Sequence, residues 1–196
     1  MLRSLNLLKG FQTSQDSAYY VRAEPIPVTI PSFANAALFP TKAGFDLTFG
    51  QWIQYNSTVY GKRDPPTEDM KLQYDIAGQG WTESRIIEGS GFQMDASKRV
   101  SSAMTAWIPS LRRGFLFGGN FVPVNQTIWT MATELEDHNG LITYHQDTNR
   151  WANETTPLGG ISDGGLVHIT TATDEVLIQF GGKSKRDIPV VCLSTY

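Results

Sequence analysis

The chain has 196 residues, a formal net charge of −3 and a pI near 5.6, so its length suits one domain or two small ones. With 18 Gly, 10 Pro and only 18% charged residues, the composition favours short strands and turns over long exposed helices, and we predict an all-β chain. The acidic balance excludes a basic nucleic-acid-binding surface, and no apolar stretch approaches the roughly 18 residues that span a bilayer, which excludes a transmembrane helix.

The first 31 residues are predicted to hold one strand and a linker. Leu5 aligns with Tyr74 of a later strand at an offset of 69 residues, so residues 2–7 are expected to be the last strand of a preceding sheet. Three prolines between residues 25 and 31 resist placement in a central strand, because proline lacks the backbone donor that a sheet uses. Residues 1–10 are too short and too interrupted for a complete signal peptide.

Two complete four-stranded units are predicted next, at residues 32–88 and 89–156. The expected strands are 33–39, 45–49, 71–76 and one around Trp81 in the first unit, and 101–107, 114–117, 141–145 and one around Trp151 in the second. Residues 157–182 predict the first half of a third unit. The tail at 183–196 matches no strand of the scheme.

The units share landmarks at a nearly constant spacing. A strand closes on Phe and Gly three times, at intervals of 68 and 63 residues, and a Tyr followed by a Trp seven residues later returns after 70. These landmarks are Phe49 and Gly50; Tyr74 and Trp81; Phe117, Gly118 and Gly119; Tyr144 and Trp151; and Phe180, Gly181 and Gly182. Self-similarity of this length, built from short strands and glycine pairs, indicates blades of a β-propeller.

The pattern of Gly-Gly after a strand, then Tyr and a Trp, resembles the kelch repeat of galactose oxidase-like β-propellers. Segments 114–119, 141–151 and 174–182 further resemble fungal kelch-type proteins of the secretory pathway, which usually carry a signal peptide and in many cases a membrane anchor. The resemblance covers residues 32–182. It implies a partial kelch β-propeller of about two complete four-stranded blades plus partial flanking blades.

Because such propellers need about six or seven blades, the resemblance also predicts that the chain is a fragment or a truncated gene model. An open set of blades leaves sheet faces and edges uncovered. We therefore expect a poorly soluble or oligomeric product when the chain is expressed alone.

The resemblance implies a non-catalytic scaffold that binds a protein or a glycan, within a parent protein that is secreted or membrane-anchored through segments absent from this chain. Two alternatives are a propeller enzyme with a metal or acid–base site at the central channel, and a cytoplasmic kelch scaffold. The copper site of the oxidase relatives uses a tyrosine cross-linked to a cysteine. Here the single cysteine, Cys192, lies in the unmatched tail, so no residue of that site carries over and no cofactor is expected.

Three Asn-x-Ser/Thr sequons, at Asn56, Asn125 and Asn153, are candidate glycosylation sites, and the latter two fall in predicted turns or loops. The histidines at positions 138, 145 and 168 show no metal-ligand spacing and are assigned structural or surface roles. No catalytic, cofactor-binding or metal-binding residue is assigned.

Overall fold

A computed structural model describes residues 2–5, 20–24, 33–52, 70–85, 87–88, 98–123, 136–138, 140–154, 161–184 and 192–195. Within these ranges the chain forms strands and turns with no helix, which confirms the prediction of an all-β chain. Two compact units are present, Met1–Ile30 and Pro31–Tyr196. The smaller unit contains one antiparallel pair, β1 (Leu2–Leu5) with β2 (Tyr20–Glu24).

The larger unit contains three main antiparallel sheets. The first sheet has the order β4 (Ala37–Pro40), β5 (Gly44–Thr48), β7 (Met70–Asp75) and β8 (Gly80–Arg85). The second sheet consists of β11 (Met104–Ile108), β12 (Arg113–Phe117), β15 (Leu141–His145) and β16 (Arg150–Glu154), with β9 (Ile87–Glu88) parallel to β16 at its edge. The third sheet consists of β17 (Ile161–Thr170), β18 (Glu175–Ser184) and β19 (Cys192–Thr195).

In the first and second units, a kink interrupts the first two strands. Beyond the kink each pair of strands continues as a separate small sheet. These small sheets pair β3 (Phe33–Ala34) with β6 (Gln51–Trp52), and β10 (Lys98–Ser101) with β13 (Asn120–Pro123), to which β14 (Glu136–Asp137) is added. In the third unit, β17 and β18 run through the kink without a break.

The first and second sheets have the same register. Tyr74 lies between Phe45 and Trp81 in the first sheet, and Tyr144 lies between Gly114 and Trp151 in the second. Each tyrosine ring packs on its tryptophan, with centroids 5.1 Å apart in the first pair and 4.5 Å apart in the second. The repeated Tyr and Trp therefore occupy equivalent positions on the third and fourth strands of the two sheets.

The kink uses left-handed backbone at equivalent positions in all three units. On the second strand, φ is 59° and 87° at Phe49 and Gly50, 65° and 95° at Gly118 and Gly119, and 64° and 100° at Gly181 and Gly182. Phe49 thus coincides with Gly118 and not with Phe117, one residue away from the alignment that the Phe-Gly spacing suggests. The first strand carries a single left-handed residue, at Asn35, Ser102 and Asp163.

The same two backbone hydrogen bonds join each unit to the next. The amide of Ser102 donates to Asn35 O at 3.4 Å, and the amide of Asp163 donates to Ser102 O at 3.3 Å. The amides of Gly50 and Gly119 donate to Val100 O and Ile161 O, both at 2.7 Å. The step from the first unit to the second is therefore repeated from the second to the third.

The core lies on both sides of the second sheet. One cluster joins it to the first sheet and contains Phe39, Phe49, Leu116, Ile142, Tyr144 and Trp151; the other joins it to the third sheet and contains Met104, Ile108, Phe115, Phe117, Leu141 and Leu177. Burial of both faces explains why these strands are apolar without alternation. A fully buried side chain of this size contributes about 1.5–3 kcal/mol to the free energy of folding.

Two segments differ from the sequence prediction. Tyr20–Glu24 forms a strand within residues 12–31, which were predicted to be a linker. Cys192–Thr195, in the tail that matched no strand, pairs with β18 as the third strand of the third sheet. Both segments are short and lack the glycine and aromatic landmarks that define the repeat. The sequence pattern therefore did not identify them as strands, and their backbone pairing does.

Candidate functional site

A polar cleft of about 230 Å³ opens between the first and second sheets. It is lined by the turn at 41–43, by Asp46, Lys71 and Gln73 of the first sheet, and by Arg112, Tyr144, Gln146 and Asn149 of the second. Asp46 and Lys71 are not among the landmark residues; they lie on the face of β5 and β7 that meets the second sheet. The cleft therefore lies at a junction that only the stacking of two units creates.

Asp46, Lys71, Tyr144 and Asn149 form the polar cluster at the base of this cleft. The Lys71 ammonium donates to Asp46 Oδ2 at 3.2 Å, to Tyr144 Oη at 3.0 Å and to Asn149 Oδ1 at 2.8 Å. The Tyr144 hydroxyl donates to Asp46 Oδ2 at 2.7 Å. The ammonium also lies 5.3 Å from the centroid of the Tyr144 ring, within the range of a cation–π contact.

Charge and burial set the protonation of the cluster. Burial raises the pKa of Tyr144, and the hydrogen bond to Asp46 and the charge of that carboxylate raise it further. The phenol is therefore a proton donor throughout the neutral range. Asp46 is buried, and its Oδ1 has no hydrogen-bond partner among the described residues. One acceptor of the cluster is left over for a water or a ligand donor.

The rim of the cleft is tied across the two sheets. Gln146 donates through Nε2 to Pro40 O at 2.9 Å, and its Oε1 accepts from the Arg112 guanidinium at 3.1 and 3.3 Å. Arg112 also forms an ion pair with Asp147. Arg112 and Asn149 are left-handed, with φ of 50° and 52°, so two tight turns deliver these side chains to the rim.

This arrangement offers hydrogen bonding in both directions. Lysine ammonium, amide and phenol groups can donate, while amide oxygens and Asp46 Oδ1 can accept. The Lys71 ammonium already has three partners in the cluster, so its role in the cleft is structural and electrostatic. What the cleft can do chemically is to bind a small ligand that has several hydroxyl or amide groups.

The predicted landmark residues lie mainly in packing positions. Trp151 is fully buried, and the Phe49 ring meets it edge-on at 4.8 Å between the first and second sheets. Tyr144 is the landmark that also reaches the cleft. Phe180 is exposed on the outer face of the third sheet, opposite Gly165.

The structure describes one of the three candidate glycosylation sites, Asn153. Asn153 is exposed and lies on the strand Arg150–Glu154, where the sequence pattern suggested a loop. Asn56 and Asn125 lie outside the described residues.

The three histidines do not converge. His138 is buried, and its Nδ1 lies 3.0 Å from Gly118 O. His168 contacts Glu175 at 2.5 Å, while His145 pairs with Arg113 and Arg150 in the second sheet. Among the described residues, no group of three His, Cys, Asp or Glu side chains is placed to hold a metal ion.

Sequence reasoning missed Asp46, Lys71 and Asn149. A weak signal was present, because Asp46 interrupts the run from Phe45 to Leu47 and so places a charge inside a strand. A buried charge normally has a partner. The partners come from strands 25 and 98 residues away, which no local pattern identifies.

No protein-family profile matches the chain, and no curated protein matches it significantly. In the part of the chain that the structure describes, no helix is long and apolar enough to cross a membrane.

Proposed function

We propose that the chain is a segment of a kelch-type β-propeller that acts as a non-catalytic binding scaffold for a protein or a glycan. The observation that carries the proposal is the repeated joint: three consecutive units are linked by the same two backbone hydrogen bonds at the same left-handed positions. A constant step between twisted antiparallel sheets is the arrangement on which propellers are built. Repeat proteins commonly bind their partners through extended surfaces that several stacked units form together.

The cleft between the first and second sheets is the proposed ligand contact, and its chemistry favours a glycan. Gln73, Gln146 and Asn149 supply amide groups, and Asp46 Oδ1 supplies a free acceptor. A pyranose ring presents hydroxyls that donate and accept at fixed spacing, which suits such a lining. At about 230 Å³ the cleft has room for one sugar unit, not for a folded peptide segment.

Two variants on the lining test the proposal. Lys42→Ala and Gln73→Ala remove hydrogen-bonding groups from the cleft without touching the contacts between Lys71, Asp46 and Tyr144. Lys183→Ala is the matched control, because Lys183 is exposed and lies on the third sheet. We expect a panel of immobilised oligosaccharides to capture the parent protein, and the cleft variants to bind about tenfold more weakly than the control.

Capture that is indifferent to both cleft variants would move the ligand site elsewhere. The protein-binding form of the proposal would be favoured if no oligosaccharide captured the parent protein and a protein partner were pulled down instead. The same two variants should then weaken binding of that partner. Turnover of a captured sugar would contradict a non-catalytic role.

Secretion or membrane anchoring of the parent protein is part of the proposal. The exposed Asn153 supports it, because a sequon needs an accessible side chain to receive a glycan. Protein from the native host should gain mobility in gel electrophoresis after glycosidase treatment, and Asn153→Gln should remove part of that shift. Protein that glycosidase leaves unchanged would favour a cytoplasmic scaffold.

A further inference from the structure

The outer face of the third sheet is apolar and uncovered at positions that the second sheet buries. Phe180 and Phe117 occupy the same register position, yet Phe180 is 55% exposed and Phe117 is 5% exposed. Ile169 and Ile108 are a second such pair, at 44% and 0% exposure. In the second sheet these side chains are buried by the third sheet. The third sheet thus repeats the apolar pattern of an interface.

The backbone at the kink of the third unit also indicates an uncovered interface. A Cβ added to Gly118 would lie 1.9 Å from Ile161 O, because the next unit packs directly on this backbone. A Cβ added to Gly181, with nearly the same φ, would meet nothing within 4 Å. The space that the backbone of the following unit fills beside Gly118 is therefore open beside Gly181.

The first sheet presents the complementary face. Leu47 and Trp81 occupy the register positions of Leu116 and Trp151, which are buried in the junction between the first and second sheets. On this face Leu72 and Tyr74 are buried within the single chain, Leu47 and Trp81 are only partly buried, and Leu38 is 55% exposed. The chain therefore carries both halves of its own internal junction, one at each outer face of the three stacked sheets.

We infer that two copies of this chain associate head to tail, with the third sheet of one copy packed against the first sheet of the other. The internal joint specifies the backbone contacts: Gly182 N would donate to Phe33 O of the second copy, and Asn35 N of that copy would donate to Asp163 O. These are the equivalents of the bonds from Gly119 to Ile161 and from Asp163 to Ser102. Because the two faces differ, the contact is heterologous, so it closes a ring or extends into a chain of copies.

Single charges on each face test the inference. Phe180→Glu blocks the third-sheet face and Leu38→Glu blocks the first-sheet face; Leu111→Glu is the control, because Leu111 is exposed in the turn at 109–112, away from both. In sedimentation velocity at rising protein concentration, we expect the wild type and Leu111→Glu to associate. Each face variant should show a dissociation constant raised at least about tenfold.

A mixture of the two face variants distinguishes this contact from others. Phe180→Glu retains the first-sheet face and Leu38→Glu retains the third-sheet face, so equal amounts should form a heterodimer and nothing larger. A mixture that stays monomeric, a wild type that is monomeric at every concentration, or face variants that associate as well as the control would each overturn the inference. If circular dichroism shows that Phe180→Glu is unfolded, Ile169→Lys on the same face takes its place.

Discussion

Gly118 and Gly181 illustrate two different structural requirements for glycine, a left-handed backbone and a close approach of another backbone. Both residues have a φ near 65°, but only Gly118 lies against the backbone of the next unit. We predict that Gly181→Ala lowers the free energy of unfolding by about 1–2 kcal/mol, the cost of a left-handed L-residue. Gly118→Ala should cost at least about twice as much, because its Cβ overlaps Ile161 O.

Urea unfolding of the two variants, at a concentration where the chain is monomeric, measures the difference. Asn35→Gly is a control for backbone conformation alone, since Asn35 is exposed and left-handed. Equal losses for the two alanine variants would mean that the close approach at Gly118 carries no energetic weight.

His138 is predicted to make stability depend on pH. Burial lowers its pKa below the ordinary value of 6.5, and the hydrogen bond to Gly118 O only partly opposes that shift. The folded state therefore holds fewer protons than the unfolded state between the folded pKa and 6.5. The contribution of His138 to the free energy of unfolding should be complete above pH 6.5. It should be lost as the pH falls from 6.5 through the pKa of the folded state.

Equilibrium unfolding at a series of pH values checks this, with His138→Gln as the variant, because glutamine can still donate to Gly118 O. The variant should lose less stability below pH 6.5 than the wild type. His145→Gln is the comparison: burial, and then the charge of Arg113, lower the pKa of this more exposed histidine as well. Identical pH profiles for the wild type and His138→Gln would refute the assignment.

At the scale of elements, the joint between the first two sheets depends on a buried ion pair. Lys71→Met leaves the Asp46 carboxylate buried, with the Tyr144 hydroxyl as its remaining side-chain donor among the described residues. We predict a loss of about 3–5 kcal/mol in the free energy of unfolding. The double variant Asp46→Asn with Lys71→Met should lose less, because no uncompensated charge remains.

The exposed pair of Lys183 and Asp163 provides the control. Lys183→Met should change stability by less than about 1 kcal/mol, since surface ion pairs contribute little. A double variant that is no more stable than Lys71→Met alone would show that lost packing, not an unpaired charge, accounts for the effect.

The sequence pattern predicted the strands well where they contain the landmark residues of the repeat. Tyr74 and Tyr144, with their tryptophans, have the equivalent positions that a 70-residue repeat implies. The Phe-Gly landmark was one residue out of register in the first unit, because Phe49 takes a backbone conformation that glycine normally supplies. Its burial against Trp151 offsets that cost, and neither burial nor φ is visible in a sequence.

At the scale of the whole molecule, the second sheet should be the most stable part of the described structure. Both of its faces are buried, whereas the third sheet has one apolar face uncovered. We predict that backbone amides of β12 and β15 exchange with deuterium more slowly than those of β17 and β18. Hydrogen exchange followed by mass spectrometry measures this, because the slowest amides report the last structure to open.

Equal protection of the second and third sheets in dilute monomer would contradict this order. Because head-to-tail association covers the third sheet, protection of β17 and β18 should rise with protein concentration, while that of β12 should not change. The two experiments thus connect local stability to the predicted oligomeric product.

The sequence alone determined the all-β class and the spacing of the units, because glycine, tyrosine and tryptophan have strong local requirements that recur at each turn of the repeat. Tertiary structure alone decided which faces are covered and where charge is buried. Asp46, Lys71 and Tyr144 meet because two sheets stack, and Phe180 is exposed where Phe117 is buried because no described element packs on the outer face of the third sheet. Burial depends on neighbours that are distant in the chain, so it is a property of the packed sheets and not of any one segment.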